Sequence, residues 1–458
     1  MWVVNETGER YSPKIDHYIT HTTWLTENPA LKRVKLPQKY HELPEELLTY
    51  ILEKNQMYLM SYNAEDTFYT IVSNHKKATE TITEGNARVA RARLEDGLFY
   101  MHLDASKTLL ELRDSLANVN FHPVLGSYRA KAERIEAIAN YILNTIELPH
   151  SEKVKKLVTE AGNYIKNDKA SNLAKEFQRL EGVIGYRYAL RDGVSDEVAV
   201  ILKDHYSPKL EKLSEKMKAS DIASLVISIA DKADTFVSLA LVEGLPEGSH
   251  DPFEMRRVVY ELIENIELSE IKLNLFDLFK AISELIAEEK HVTIEQIIAF
   301  VNIRVEQVMT DKNVDQWIAS GTAYAKGNDL ALKFSLAKEL QTLEKKNTIK
   351  DSFLDSLKRI RNILQKPEAQ NADVSFSEGL LETKSEKEVY KLDKSLSELQ
   401  KINGADYGKF FTNLEKALHA FFEETLVFAD DQKLRQNRVS LLKTLYGDLS
   451  VVFELRFE

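Results

Sequence analysis

Two acidic residues occupy segments that invite chemistry. Asp168 lies in AGNYIKNDKASN and Asp231 in the apolar stretch SLVISIADKADTFVSL. On a helix, Ile227, Ser228, Asp234 and Thr235 share the side of Asp231 at spacings of three or four, which makes a narrow polar stripe on an apolar rod. A carboxylate buried on that stripe needs a cationic partner, N–H donors or a metal ion. One or two carboxylates hold a catalytic divalent ion poorly, and Lys166-Asn167-Asp168 supplies no imidazole. Partnered, structural acids are therefore expected at both positions, with no bound metal. His17 and His21 are spaced as helical metal ligands would be, but Thr20, Thr22, Thr23 and Trp24 favour extended chain there.

Other chemical signatures are missing. The sequence has no GxxxxGK[ST] or GxGxxG phosphate loop, no GxSxG elbow and no HExxH pair. Gly182 and Gly185, in EGVIGYRY, read as a turn between packed elements. Basic residues cluster locally: Arg88, Arg91 and Arg93; Arg256 and Arg257; Lys358, Arg359 and Arg361; Arg435 and Arg438, with Asn437 between them. Each cluster suits phosphate contacts or a salt-bridged face. Arg91 and Arg93 diverge on a helix and cannot both face one phosphate, so one of them is expected to pack against a carboxylate such as Asp96. Arg435 and Arg438 share a face. They suit phosphate contacts or pair with Asp430 or Asp431, and phosphate contact by at least one is expected.

The elements that must carry these residues are mostly helices. Met57–Tyr62 and Thr67–Ser73 flank a polar turn and read as a hairpin. From about residue 76 the apolar period is 3.6. Helices are expected over Ala78–His102, Ser106–Val119, a run across 127–243, and then 271–289, 293–309, 328–345 and 350–365. Asp251 and Pro252 predict a cap and first turn for a helix over Phe253–Asn265. Pro367–Ser377 reads as a polar linker, and 385–458 as a C-terminal helical unit separable from the rest.

Composition sets outer bounds. The 458 residues carry 43% hydrophobic and 29% charged side chains, only 16 Gly and 10 Pro, and a net charge of −11. Such a chain buries substantial cores and is mainly α, in several domains. Cysteine is absent, which excludes disulfides and thiolate chemistry. Neither a basic-then-apolar leader nor a run of about 18 apolar residues is seen. The acid balance argues against a sequence-blind nucleic-acid coat and leaves room for a shaped RNA-binding face.

Seven segments in order resemble the β subunit of bacterial heterotetrameric glycyl-tRNA synthetase. They are EGNARVARARLEDGLFY, FHPVLGSYRAKAERIEAIA, EGVIGYRYALRDGVSDEVAVILKDHYSP, IADKADT, HDPFEMRR, KRIRNIL and FFEETLVFADDQKLRQNRVSLL, and the resemblance covers roughly residues 40–458. The chain reads NQMYLMSY where the family tends towards DQKYFPVY, and Asn437-Arg438-Val439 where the family has asparagine-arginine-leucine. The resemblance implies a shortened form lacking much of the family's N-terminal region.

It also implies an organisation: an N-terminal α+β portion and long helix at 1–104, a degenerate His-Asp-type helical domain at 105–250, a helical body at 251–366, and a helical anticodon-binding domain at 367–458. In that family type Lys166-Asn167-Asp168 stands where a metal-binding His-Asp pair would be, and Asp231 where the later acid would be. The implied role is tRNA binding, with Arg88, Arg91, Arg93, Arg256, Arg257, Lys358, Arg359, Arg435, Asn437 and Arg438 as candidate contacts and no catalytic residue in this chain. A separate α subunit would use ATP and magnesium to charge tRNA(Gly), in a cytoplasmic hetero-oligomer without DNA or membrane partners. A stand-alone tRNA-binding protein and a metal-dependent phosphohydrolase are the alternatives.

Overall fold

A computed structural model describes residues 30–62, 66–73, 80–287, 289–346, 349, 351–370, 376–399 and 407–454. His17, His21 and the hairpin tip at 63–65 lie outside them. The chain is mainly helical. It divides into two compact units: Met1–Glu136, His150–Lys209 and Lys218–Ser228 in one, and Ala137–Pro149, Leu210–Met217 and Ile229–Glu458 in the other.

The first unit opens with a three-stranded antiparallel sheet, β1 (Ala30–Lys35), β2 (Leu59–Tyr62) and β3 (Thr67–Ser73), with β3 in the centre. The expected hairpin is present, with Leu59 opposite Thr70 and Tyr62 opposite Thr67. Strand β1 adds to it, pairing Ala30 with Ser73 and Lys35 with Phe68. Between β1 and β2 lies the short helix α1 (Glu45–Thr49). The long helix α2 (Glu80–Asp104) buries Ala90, Leu94, Gly97 and Leu98, one face at helical spacing. Gly97 lets Leu43 and Leu47 approach: a Cβ there would lie 3.3 Å from the Leu47 side chain.

The expected helix over Ser106–Val119 is cut down to α3 (Leu112–Ser115) and a 3₁₀ turn. Two sets of bonds accompany this, one tertiary and one local: the Leu109 N–H donates to Asp192 at 2.5 Å, and the Glu111 carboxylate folds back to accept from the Thr108 N–H and hydroxyl. A small ribbon follows, β4 (Asn120–His122) and β5 (Gly126–Ser127). Then come α4 (Tyr128–Thr145), α5 (Ser151–Gly162), α6 (Asn172–Glu176), α7 (Val183–Arg191) and α8 (Asp196–Asp204). Gly193, at φ +79°, turns the chain between α7 and α8. Helix α9 (Ala219–Glu243) is apolar on almost every side and accordingly buried nearly throughout.

The second unit continues with α10 (Met255–Ser269), α11 (Leu275–Glu284), α12 (Ile294–Asp311), α13 (Gln316–Ala323), α14 (Leu330–Lys345), α15 (Asp351–Leu364) and the short α16 (Pro367–Gln370). Helix α10 starts two residues later than its sequence suggested. Asp251 does cap it, but from a distance: its carboxylate accepts the Met255 and Arg256 N–H groups at 2.8 and 3.0 Å, while Glu254 takes a left-handed conformation. Pro252 thus precedes the helix.

Three helices complete the unit: α17 (Lys384–Leu399), α18 (Tyr407–Glu424) and α19 (Gln432–Leu449). They share a core with the helices before the polar stretch. Fully buried Phe353 of α15 meets Phe411 of α18 edge to face, with centroids 5.9 Å apart. Phe453 lies against Trp317 and Phe411, and Gly321 makes room for its ring. Backbone bonds lock the same seam: Gly327 N–H to the Val451 carbonyl at 2.9 Å, and Glu454 N–H to the Gly321 carbonyl at 2.8 Å. The polar stretch after residue 366 is therefore not a spacer between independent cores.

Ending the chain at residue 366 should destabilise what remains, because it strips the cover from Phe353, a residue type whose core truncation alone costs about 3–5 kcal/mol. Thermal melts and limited proteolysis of residues 1–366 should show early unfolding of the 229–366 helices. A melt as sharp and as hot as that of the whole chain would contradict this packing.

Candidate functional site

Asp168 is buried in the first unit, in a 3₁₀ turn beyond α5. Its carboxylate accepts the Gly182 N–H at 2.6 Å. Two glycines make this approach possible. Gly182 sits at φ +77°, where a Cβ would collide with the Tyr206 ring at 2.6 Å, and a Cβ on Gly185 would press on the Asp168 carboxylate at 3.3 Å. Asn167 donates to the carbonyls of Leu109 and Asn163. The buried Lys166 ammonium lies 3.1 Å from His205 Nε2 and 3.8 Å over the Tyr206 ring. His205 Nδ1, against the Ile201 carbonyl, is thereby the donor nitrogen, leaving Nε2 to accept. Lys169 pairs with Glu181 at 2.5 Å.

Burial pushes the Asp168 carboxyl up, and the Gly182 N–H opposes that shift. Asp231 is half-buried on a stretch of α9 that belongs to the other unit. Its backbone carbonyl accepts the Thr235 hydroxyl, and the Ser238 hydroxyl bonds back to Asp234 in the same way. The polar stripe on α9 is thus partly spent on its own helix. No group of three His, Asp or Glu that could hold a metal ion exists among the described residues. Amides and ammonium groups fill the Asp168 site, and this donor set does not fit a divalent metal.

Asp168→Ala should lower stability by about 1–3 kcal/mol by stranding the Gly182 amide. Asp168→Asn keeps an acceptor and should cost less. A raised carboxyl pKa gives stability that is present at low pH and lost as pH rises past the ordinary carboxylate range. Asp168→Asn should therefore gain on the wild type between pH 5 and 8. Urea midpoints across that range test the sign, and an opposite trend refutes it.

The basic candidates divide sharply. On α2, Arg93 pairs with Glu176 at 2.9 Å and Asp96 at 3.8 Å, whereas Arg88 and Arg91 are exposed. Near the start of α10, Arg256 donates to the carbonyls of Pro246 and Gly248, and exposed Arg257 pairs with Glu254 at 2.6 Å. On α15, Lys358 lies 3.7 Å from Asp355, and the Arg359 guanidinium stacks 4.4 Å from the Phe422 ring.

At the C-terminal bundle the structure corrects the sequence reading. Arg438 is buried, not displayed. Its guanidinium donates to Glu386 at 2.5 Å, Glu382 at 3.1 Å and the Leu426 carbonyl at 3.1 Å. Glu386 is itself completely buried. Asn437 is buried too and accepts the Ser377 N–H at 2.7 Å. Arg435 is half-buried and donates to the backbone carbonyls of Ala429 and Asp430, so it braces the turn without using either aspartate side chain. The Asp431 carboxylate instead caps α19, accepting the Lys433 and Leu434 N–H groups. This seam was hidden in the sequence because Glu382 and Glu386 lie more than fifty positions from Arg438.

One arginine escaped sequence reasoning altogether. Arg304 of α12 is isolated in NIRVEQ, yet its guanidinium lies 4.1 Å over the Phe300 ring, and burial first, then the like charge of Arg256, hold it below the ordinary arginine range.

Arg438→Ala should leave Glu386 buried and unpaired and cost about 3–5 kcal/mol. The double variant Arg438→Met/Glu386→Leu should recover much of that loss. Denaturant melts of the three proteins form the check. A single variant as stable as the wild type would remove this ion pair from the account.

The family described as glycyl-tRNA synthetase beta subunit matches residues 5–322. A glycine–tRNA ligase beta subunit from Rickettsia bellii (strain OSU 85-389) is 33% identical over 432 residues, covering 93% of this chain and 62% of the relative. Those of Rickettsia typhi and Oceanobacillus iheyensis are 31% identical over 438 residues and 29% over 446, covering 93% of this chain and 62% and 63% of their own length. The chain thus spans somewhat under two thirds of the curated relatives it matches.

Proposed function

Because this chain belongs to the glycyl-tRNA synthetase beta-subunit family, we propose that it is a tRNA-binding β subunit that supports ATP-dependent attachment of glycine to tRNA(Gly) by a separate catalytic α subunit. The observation that carries this reading is the similarity to glycine–tRNA ligase beta subunits over 93% of the chain. The site chemistry supports it. A nucleotide-activating centre would need phosphate-binding loops or metal ligands, and Asp168 is instead met by the Gly182 amide, with the charges of Lys166 and Lys169 acting on it. ATP and magnesium then belong to the α partner. Exposed Arg88 and Arg91, one helical turn apart on α2, suit the phosphate contacts that position an RNA without reading its sequence. Arg93, tied to Glu176, holds that helix in place.

The bundle of α17, α18 and α19 is the proposed anticodon reader, with its scaffold set from within by Arg438 and Glu386. Arg435 is the remaining C-terminal candidate for RNA, since it is only half-buried. A hetero-oligomer in the cytoplasm follows from the same reading. Among the described residues no helix is long and apolar enough to cross a membrane.

Reconstitution tests the proposal. The pure chain should show no glycine-dependent ATP–pyrophosphate exchange. It should bind tRNA(Gly), copurify with a glycyl-tRNA synthetase α subunit and restore glycylation by it. Binding of tRNA without copurification would favour the stand-alone tRNA-binding alternative, and robust exchange by the pure chain would overturn the assignment of chemistry to a partner.

A further inference from the structure

We propose that a cavity walled by α10, α12 and α14 binds a nucleotide ending in a phosphate monoester, with the phosphate on Lys338 and Lys345 and the nucleoside against Phe334 and Leu268. The choice of a nucleotide among organic phosphates rests on the reading of the chain as an RNA-binding subunit. The preference for a doubly charged anion rests on the cavity alone.

The cavity lies wholly within the second unit and measures about 590 Å³. Small-molecule sites commonly enclose about 300–1,000 Å³. Its walls are the C-terminal ends of α10 and α12, the turn after α12 and one face of α14, with Lys212 added from the segment before α9. The turn is held from both sides. Asn313 takes a left-handed conformation at φ +61°. The Asp315 N–H donates to Gln341 Oε1 at 2.6 Å, and Gln341 Nε2 donates back to the Asp315 carboxylate at 3.0 Å.

Charge selects the ligand. Four lysines and two glutamates line the cavity, in a chain whose net charge is −11. Both glutamates are already taken: Glu270 pairs with Lys212 and Glu267 with Lys312, each at 2.5 Å. Lys338 and Lys345 are exposed, with no carboxylate within ion-pair distance among the described residues. They stand two turns apart on one face of α14, about 10 Å along its axis, and their flexible stems let both ammonium groups converge on one phosphate. Thr342 lies between them, its hydroxyl proton spent on the Lys338 carbonyl at 2.8 Å. The lining thus carries two more positive charges than negative ones. A phosphate monoester brings about −1.5 to −2 at neutral pH. A carboxylate or a backbone phosphodiester brings a single charge and leaves much of the surplus unmet.

The rest of the lining favours an organic phosphate over the free ion. Phe334 is half-buried in the wall and Leu268 is 38% exposed, and phosphate alone would leave both in water. A base placed on Phe334 gains apolar burial and ring contact together.

The test uses the full chain. Calorimetric titration with AMP should show saturable binding, and inorganic phosphate should bind more weakly. Lys338→Gln and Lys345→Gln should each weaken AMP binding roughly five- to tenfold, and the double variant should weaken it further. Lys338→Arg should hold close to the wild-type affinity. Lys443→Gln, at an exposed position of α19 outside the cavity, should change nothing. Phe334→Leu should bring AMP down towards the affinity of inorganic phosphate and leave inorganic phosphate itself unchanged. Melting temperatures of the lysine variants should match the wild type, because neither side chain has an ion pair to lose. Labelled tRNA with and without its 5′ phosphate separates the two sources of the nucleotide. Weaker binding after dephosphorylation, in the wild type but not in the double variant, assigns the cavity to the 5′ end of an RNA. AMP binding that leaves tRNA affinity untouched assigns it to a free nucleotide. AMP bound equally by the wild type and the double variant would overturn the site. So would absence of AMP binding together with tRNA binding that ignores both the 5′ phosphate and the double variant, and the RNA-binding role would then stand. AMP binding by a chain that fails to bind tRNA would instead remove the RNA-binding role and keep the cavity.

Discussion

A carboxylate taken out of water must be met by donors already in place, and much of this architecture follows from that constraint. Asp104, at the end of α2, is 3% exposed. It accepts the Asn172 backbone and side-chain N–H groups at 2.9 and 2.8 Å, the Leu173 N–H at 3.0 Å and the Tyr188 hydroxyl at 2.9 Å. One acid thus caps α6 and joins α2 to α6 and α7. Burial drives the Tyr188 phenol far up, with the Asp104 charge adding to it, so Tyr188 stays a donor. Glu386 repeats the solution with Arg438, while for Asp168 the Gly182 amide offsets only part of the burial that raises its carboxyl. The cost also shows at buried Asp393 of α17, near Asp448, which is pushed up to about 7, chiefly by burial.

The same rule separates arginines that build from arginines that remain available. Arg93, Arg187 and Arg438 close on carboxylates and fix helices to one another. Arg88 and Arg91 stand in solvent on α2. Arg304 belongs to neither group, since it is partly desolvated and set against a like charge. A net charge of −11 is therefore compatible with RNA binding. What matters to a polyanion is where the uncompensated cations lie, not their total.

Much of the fold was legible because it rests on local period. The hairpin of β2 and β3 and most helices from α2 onward follow from alternation and from the 3.6-residue pattern. The divergence of Arg91 and Arg93 followed from helix geometry alone. Strand β1 was not legible: Lys32, Arg33 and Lys35 make it a charged edge strand, and its partner lies some forty residues on. The 106–119 segment misled for the opposite reason. Its helical pattern is real, but Asp192 takes the Leu109 amide from across the unit. Arg438 and Arg435 looked alike in sequence, on one face and three apart. Only the distant Glu382 and Glu386 decide that one is buried.

The seam between residues 321–327 and 450–454 also bears on how the protein is made. Gly321 accepts the ring of Phe453 and the amide of Glu454, and Lys326 and Gly327 donate to Ser450 and Val451. A ribosome adds about 5–20 residues per second, so α13 emerges on the order of ten seconds before the segment that covers it. Throughout that interval Trp317, Phe353 and their neighbours lack their final cover. Chaperone occupancy during synthesis should concentrate on this stretch, and translation pauses between α14 and α19 should lower the yield of folded protein more than pauses elsewhere.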